Sequence, residues 1–369
     1  MLRRAFAVLA LLAGVVPALA APARADGTVP AAVYIQGLDL HDGAVTKAAD
    51  GEYVLVGTLY GCGFQWAVAG TSWCGFGYST AGSLAGPWST PKLLFSPGST
   101  DPWTRTTWAD ECGSTGAGCF NPRLVQRRGW GADDGAWLLL FNSPADYNRN
   151  HSNAYNVMGC GVAGTRIGCG PGEKVSGHGS YTKPSLNYCN GNGDVGVFVG
   201  NGALDLMCTM PGQTLSVEQL NRWGTGTSGL GASHVGGLKD VEGPGVYQDP
   251  ATGTWIATFS DTNCGYCSGD GTGYATARNP LGPYVSPVNL GFSAPAQGRR
   301  DLSATSCGGQ PRTVSVLDGQ AWQGIDLWTG SRNETTAGLL FQPLTYTGTP
   351  AAAAGDGTRW SPPFVPWTC

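Results

Sequence analysis

The chain has 369 residues, a formal net charge of −4 and only 12% charged residues. Its lysines and arginines are scattered with no basic run, which excludes an electrostatically driven nucleic-acid partner. No stretch beyond the N terminus is apolar for long enough to cross a bilayer as a helix. Fifty-nine glycines beside 13 tryptophans and 13 tyrosines fit many short strands joined by tight turns.

The N terminus reads as a secretory leader. Arg3 and Arg4 precede an apolar run over 5–19, and small-residue cleavage sites end at Ala20 and Ala25. Cleavage after Ala25 is preferred, because Asp26-Gly27 opens a polar stretch. That predicts a leader over 1–25, a single mature domain over 26–369, and a secreted, extracellular, monomeric protein.

Along the mature chain one pattern recurs five times. A polar residue is followed, at once or after one residue, by Gly or Pro, then by an apolar strand, a turn and a second strand. The copies start at His41-Asp42-Gly43, Phe120-Asn121-Pro122-Arg123, Thr182-Lys183-Pro184, Val241-Glu242-Gly243-Pro244 and Gln310-Pro311-Arg312. Turns are expected at Asp50-Gly51, Asp134-Gly135, Asn190-Gly191, Asp249-Pro250 and Asp318-Gly319, and the Asp-Gly and Asn-Gly pairs among them are strong hairpin signals. The polar anchors 42, 121, 183, 242 and 310 are spaced 79, 62, 59 and 68 residues apart. Comparable spacing over five copies favours an all-β, five-bladed β-propeller over a two-sheet sandwich. A second repeat supports it: Gly77-Tyr78-Ser79-Thr80-Ala81 matches Gly273-Tyr274-Ala275-Thr276-Ala277, and each is followed by a Gly-Pro-aromatic turn. One helix is expected over 216–224, with Ser216 and Gln219 as a capping box and Gly224 as the stop.

Twelve cysteines in an exported chain indicate disulfides. Sequence alone leaves the connectivity open. Pairing of near neighbours couples Cys62–Cys74, Cys112–Cys119, Cys160–Cys169, Cys189–Cys208 and Cys264–Cys267. Cys307–Cys369 remains, a bridge expected to close the ring of blades. Cys264-Gly265-Tyr266-Cys267 has the spacing of a redox motif but no helical pattern after it, which favours a structural bridge.

In a propeller the innermost strands line a central channel, so the anchors should form a ring of Asp42, Asn121, Lys183, Glu242 and Gln310. Two carboxyl groups in such a ring suit acid/base cleavage of a glycosidic bond. His41 and Arg123, beside the anchors, are further candidates for substrate contact. Trp66, Trp103 and Trp108 are candidates to stack on sugar rings. Asp261, Asp301 and Asp326 read as structural or rim residues. His151, His178 and His234 lack ligand spacing, so no metal or cofactor is expected. Asn333-Glu334-Thr335 fits a glycosylation triplet.

His41-Asp42-Gly43 with the Tyr53 strand, Val241-Glu242-Gly243-Pro244 with Tyr247 and the Trp255 strand, and the segment 273–284 together resemble glycoside hydrolase family 43. The resemblance implies a five-bladed propeller acting on arabinose-, xylose- or galactose-containing polymers, usually with inversion. It puts the catalytic base on Asp42 and the acid on Glu242. The family's third carboxylate would fall on Lys183, a departure that implies altered or lost activity. A β-1,3-galactan branch is similar in using a blade-five Gln, and Gln310 matches that position. The alternatives are a non-catalytic carbohydrate-binding propeller, favoured by Lys183, and a structural or inhibitor-like secreted protein, suggested by the disulfide density.

Overall fold

The computed structural model describes residues 29–113, 116–127, 135–144, 154–163, 166–170, 173, 181–287, 301–348 and 362–369. The leader expected over 1–25, and His151 and His178, lie outside these residues. No helix among the described residues is long and apolar enough to cross a membrane.

Five antiparallel sheets follow one another along the chain. After β1 (Val33–Ile35), blade one consists of β2 (His41–Lys47), β3 (Tyr53–Thr58), β4 (Phe76–Ala81) and β5 (Lys92–Leu93). A short helix α1 (Trp108–Gly113) leads to blade two, with β6 (Phe120–Gln126), β7 (Trp137–Asn142), β8 (Tyr155–Ala163), β9 (Arg166–Cys169) and β10 (Tyr181–Thr182). Blade three is β11 (Val195–Gly200), β12 (Ala203–Met210), β13 (Thr214–Leu220) and β14 (Thr227–Ala232). Blade four is β15 (Val241–Gln248), β16 (Trp255–Asp261) and β17 (Gly271–Ala277). Blade five holds β18 (Gln310–Leu317), β19 (Gln320–Leu327) and β20 (Gly338–Leu344).

The innermost strands β2, β6, β11, β15 and β18 pack side by side around the axis, β18 returning against β2. The chain is therefore an all-β, five-bladed propeller. Apolar faces of neighbouring blades fill the wedges between them. Trp73, Phe76, Trp108, Trp137 and Phe141 fill the wedge between blades one and two. Trp108 is thus a core residue and not a sugar platform. Close approach is required where β11 meets β15, because a Cβ on Gly196 would lie 2.3 Å from the Pro244 carbonyl oxygen.

The two matching Gly-Tyr-x-Thr-Ala segments are the third strands of blades one and four. They pair in the same register, Tyr53 opposite Ala81 and Trp255 opposite Ala277. The Asp318-Gly319 turn joins β18 to β19 with positive φ at both residues, 50° and 79°, as a two-residue hairpin requires. In blade three the hairpin sits elsewhere than expected. Asn201 and Gly202, at φ 52° and 83°, join β11 to β12, whereas Asn190-Gly191 lies in the approach to β11. Val195–Gly200 is therefore the innermost strand of this blade.

The helix expected over 216–224 is the strand β13. Its apolar period is two: Leu215 and Val217 enter the core between blades three and four, while Ser216 and Glu218 face the other way. Buried Glu218 accepts the backbone N–H groups of Asn187, Tyr188 and Cys189 at 2.8–2.9 Å. A core-facing alternation and this hydrogen-bonded carboxylate outweigh a local capping signal.

The five cysteine pairs expected from neighbour spacing are bonded, and so is the remaining pair Cys307–Cys369. The ring, however, closes by main-chain pairing. The N-terminal strand β1 adds to β20, Val33 opposite Phe341 and Ile35 opposite Leu339, so both ends of the propeller contribute to blade five. Cys307–Cys369 fastens the C-terminal tail to the loop ahead of β18. Removing β1, by deleting residues through Ile35, should lower the denaturant-derived unfolding free energy by more than Cys307→Ser/Cys369→Ser. The bridge itself is worth about 2–4 kcal/mol. An equal or smaller loss on truncation would show that the tail closes the ring.

Candidate active site

Four of the five innermost strands begin with a break in register. It falls between His41 and Ala44, Phe120 and Arg123, Glu242 and Gly245, and Pro311 and Val314. Each is a β-bulge, which bends the strand and re-aims a side chain. Asp42 and Asn121 take positive φ there, 61° and 55°, as does Gly243 at 61°. The recurring polar–Gly/Pro pattern is the sequence trace of these bulges. β11 has none, pairing in register from Val195 opposite Cys208 onward, and Asp194 immediately precedes it.

These strand starts surround a cavity of about 320 Å³. Asp42, Asp194, Glu242, Gln310, Arg312 and Asp326 are among the residues that line it. Asn121 joins two of the carboxyl groups. Its backbone N–H donates to Asp42 Oδ2 at 2.5 Å, and its Nδ2 donates to Asp194 Oδ1 at 2.8 Å. Asp42 N–H donates to Asp326 Oδ2 at 3.1 Å, and Asp326 Oδ1 pairs with Arg312 Nη1 at 3.2 Å. Glu242 Oε1 accepts from the Cys264 backbone N–H and from Gln310 Nε2, both at 2.8 Å. Trp328 Nε1 in turn donates to Gln310 Oε1 at 2.7 Å, which fixes the amide orientation. Both donors converge on one oxygen of Glu242, and the other is left to carry a proton.

The electrostatics follow from burial and from like charges. Glu242 is pushed up to about 8, by burial first and by the charge of Asp194 second, against the hydrogen bond from Cys264. It is therefore protonated at neutral pH. Burial and the neighbouring Asp194 and Asp326 raise Asp42 well above the usual carboxylate range, opposed by Arg123 and by the Asn121 N–H. Burial also raises Asp194, while Asn121, Arg123 and the Gly243 N–H favour its anion.

Aromatic side chains form one wall. Tyr266 stacks on Trp66 at 4.5 Å between ring centres and leans on Trp328 at 4.6 Å. Trp66, Phe120, Tyr266 and Trp328 all line the cavity. Trp103 is 44% exposed and is not among the lining residues.

Asp42, Asn121, Glu242 and Gln310 come together as a ring of anchors requires. Lys183 does not: it follows β10 at the edge of blade two and does not line the cavity. Asp194 occupies the blade-three position. The pattern that picked out Lys183-Pro184 recurs at Asp194-Val195-Gly196, and only the pairing of β11 tells the two apart. Arg123 is 3% exposed and is not among the lining residues. It donates to the carbonyls of Asp42 and Val195 at 2.8 Å and to Asn121 Oδ1 at 2.9 Å, so it braces the ring instead of meeting a ligand. Burial lowers it to about 10. His41 is fully buried against Tyr60 and Trp328 and lies behind the wall.

Asp326, read as structural or rim, lies at the axis. Its position opposite Gln310 in the β18–β19 pairing is the signal that could have found it. Arg312 stands after Gln310-Pro311 as Arg123 stands after Asn121-Pro122, a parallel that could have found it; Tyr266 carried no such signal. Asn333 Nδ2 donates to the carbonyls of Tyr60 and Phe64, a structural use of the glycosylation triplet. Cys264, Cys267 and Asp270 lie within common ligand reach, but both sulfurs are in a disulfide and offer no thiolate to a metal.

No family model matches the sequence, and no curated protein matches it. Solved structures do match the fold. The exo-β-1,3-galactanase of Phanerochaete chrysosporium with galactose superposes at a TM-score of 0.58 with 13% identity, covering 89% of this chain and 63% of that one. A family GH43 β-1,3-galactosidase with galactodeoxynojirimycin gives 0.58 and 13%, covering 88% and 96%. An exo-β-1,3-galactanase from Clostridium thermocellum gives 0.53 and 15%, covering 85% and 63%. The chain thus spans less than two thirds of the fungal and clostridial chains. It shares the five-bladed fold of family 43 enzymes.

A carboxyl group raised from 4.5 to about 8 on folding gives a signed prediction. Below the lower value both states hold the proton. Between the two the unfolded chain releases it, so stability present at low pH is lost as pH rises through 8. Glu242→Gln should flatten this fall and raise the urea midpoint more at pH 8 than at pH 5. Equal shifts at both values would show that Glu242 titrates normally.

Proposed function

We propose that this protein is a secreted glycoside hydrolase that cleaves galactose-containing polysaccharide with inversion. Its acid is Glu242, its base is Asp42, and Asp194 keeps the acid protonated. The observation that carries the reading is the meeting of Asp42, Asp194 and Glu242 in one axial cavity, with Glu242 holding its proton at neutral pH. Galactose is the first choice because the fold neighbours are β-1,3-galactan and β-1,3-galactoside enzymes. Arabinan and xylan are the other candidates. A single mature domain over 26–369 and export through the leader fit the six disulfides.

In this mechanism a sugar ring lies against the Trp66–Tyr266–Trp328 wall. The free oxygen of Glu242 protonates the glycosidic oxygen as the bond to the anomeric carbon breaks. A water on the opposite face attacks that carbon and gives its proton to Asp42, and the product leaves with inverted configuration. Inverting pairs stand about 6.5–9.5 Å apart to admit that water. Asp194, oriented by Asn121, acts by charge: an anion beside Glu242 disfavours its ionisation. Gln310 and Trp328 hold the acid in place. Arg312 and Asp326 hold the backbone of Asp42. The binding-only reading drew on Lys183 standing where a carboxylate belongs, and Asp194 removes that motive.

Incubation with β-1,3-galactan, arabinogalactan, arabinan and xylan, followed by NMR of the first-formed anomer, tests the proposal. Galactose released as the α anomer from a β linkage is expected. Asp42→Asn and Glu242→Gln should each lower kcat by about 10²–10⁴-fold, the latter least on substrates with good leaving groups. Lys183→Ala should leave kcat unchanged. Saturable binding of these polysaccharides without hydrolysis would decide for the non-catalytic alternative.

The pH profile separates the roles. Its alkaline limb should fall near 8 and report Glu242. Asp194→Asn should move that limb to lower pH, because the neighbouring anion no longer opposes ionisation of the acid. An unmoved limb would remove Asp194 from the mechanism.

A further inference from the structure

Between β16 and β17 the chain folds over the cavity, and the disulfide Cys264–Cys267 sits at the rim. The chemistry proposed above makes no use of this bond, yet the loop it closes touches both the acid and the aromatic wall. The Cys264 N–H donates to Glu242 Oε1 at 2.8 Å, and the Cys264 carbonyl accepts from Gln310 Nε2 at 2.5 Å. Two residues on, Tyr266 is held at φ 57°, stacked between Trp66 and Trp328 and hydrogen-bonded to the Tyr60 hydroxyl. The loop fits closely, since a Cβ on Gly265 would come 3.0 Å from the Trp66 ring.

As a stabiliser of the fold the bridge contributes little. It spans a separation of 3, against 7 to 62 for the other five, and a short closed loop constrains the unfolded chain least. It is also accessible. Gly265 is exposed and both flanking cysteines are half-buried; Cys62 and Cys369 of two other bridges are exposed too, whereas Cys112–Cys119 and Cys189–Cys208 are fully buried. Thiol–disulfide exchange requires that access.

We propose that Cys264–Cys267 is a reducible latch that positions Glu242 and Tyr266, so that a dithiol opening it lowers activity while the propeller stays folded. This rests on the acid role given to Glu242. The exchange balances. The dithiol supplies two electrons and two protons and becomes its own disulfide, Cys264 and Cys267 become thiols, and reoxidation restores the latch. Once the loop is free, Glu242 loses a donor that favours its anion, so its pKa rises further. Tyr266 leaves the wall, and sugar binding weakens with it.

The test compares the full-length protein with Cys264→Ser/Cys267→Ser, and the wild type under graded dithiothreitol with the opened bridge identified by alkylation and mass mapping. Expected are a loss of about tenfold or more in kcat/KM, the size of a lost hydrogen bond to an ionisable group, and an alkaline limb moved to higher pH. The thermal midpoint should be nearly unchanged. Oligosaccharide affinity, read by tryptophan fluorescence in a Glu242→Gln background, should fall as well. Cys307→Ser/Cys369→Ser should leave the limb in place. If the serine variant fails to fold, reversible loss of activity on mapped reduction of the wild type carries the same test. Wild-type turnover with an unaltered variant overturns the latch alone. A wild type that neither binds nor cleaves the polysaccharides overturns the enzymatic reading and the latch together.

Discussion

Five strands that start at the same end of a closed ring crowd Asp42, Asp194, Glu242 and Asp326 around one axis, and their charge has to be balanced inside the protein. Among the described residues, two buried guanidinium groups stand close enough to do it. Arg123 lies behind the anchors and holds their carbonyls, and Arg312 pairs with Asp326. Four ionised carboxyl groups would exceed that compensation, and burial of an unpaired charge is costly. The site resolves the excess by keeping a proton on Glu242 at neutral pH, while the charge of Arg123 and the Asn121 N–H favour the Asp42 anion against its burial. A protonated carboxyl beside an ionised one is what glycosidic cleavage asks for, so the electrostatic strain of closing the ring and the chemistry proposed for it have a common origin.

The bulges are the local device that makes this geometry possible. A regular strand alternates its side chains between the two faces of a blade and would send the first residue into a wedge between blades. The extra residue at the start of β2, β6, β15 and β18 turns that side chain toward the axis instead. Asp42 and Asn121 pay for it with positive φ, and their short polar side chains tolerate this better than most. Blade three reaches the same end without a bulge. Its strand begins one residue after Asp194, and Asn142 and Tyr155 of blade two hold the preceding 192–193 carbonyls.

Loops complete what the strands begin. The aromatic wall draws Trp66 from blade one, Phe120 from blade two, Tyr266 from blade four and Trp328 from blade five, and two of these lie inside small disulfide loops, Cys62–Cys74 and Cys264–Cys267. The bridges thus serve more than stability. They set the shape of the cavity mouth, where the chain has no regular hydrogen-bonded frame of its own.

The repeat of polar residue, Gly or Pro, strand and turn was enough to determine an all-β, five-bladed propeller, and neighbour spacing pointed to five disulfide pairs, with Cys307–Cys369 left as the remainder. Both rest on local chemistry: turn residues that need positive φ, bulges that need Gly, Pro or a short polar side chain, and cysteines close in the chain. Asp42, Glu242, Asn121 and Gln310 were legible for the same reason. What tertiary structure decided is what depends on pairing between distant segments. β13 is a strand because its alternate residues meet a neighbouring blade. β1 closes the ring because β20 offers it a free edge. Asp194 stands at the axis because β11 pairs with β12 and packs against β15, whereas Lys183 follows β10 at the edge of blade two, a choice that two similar local patterns could not make by themselves.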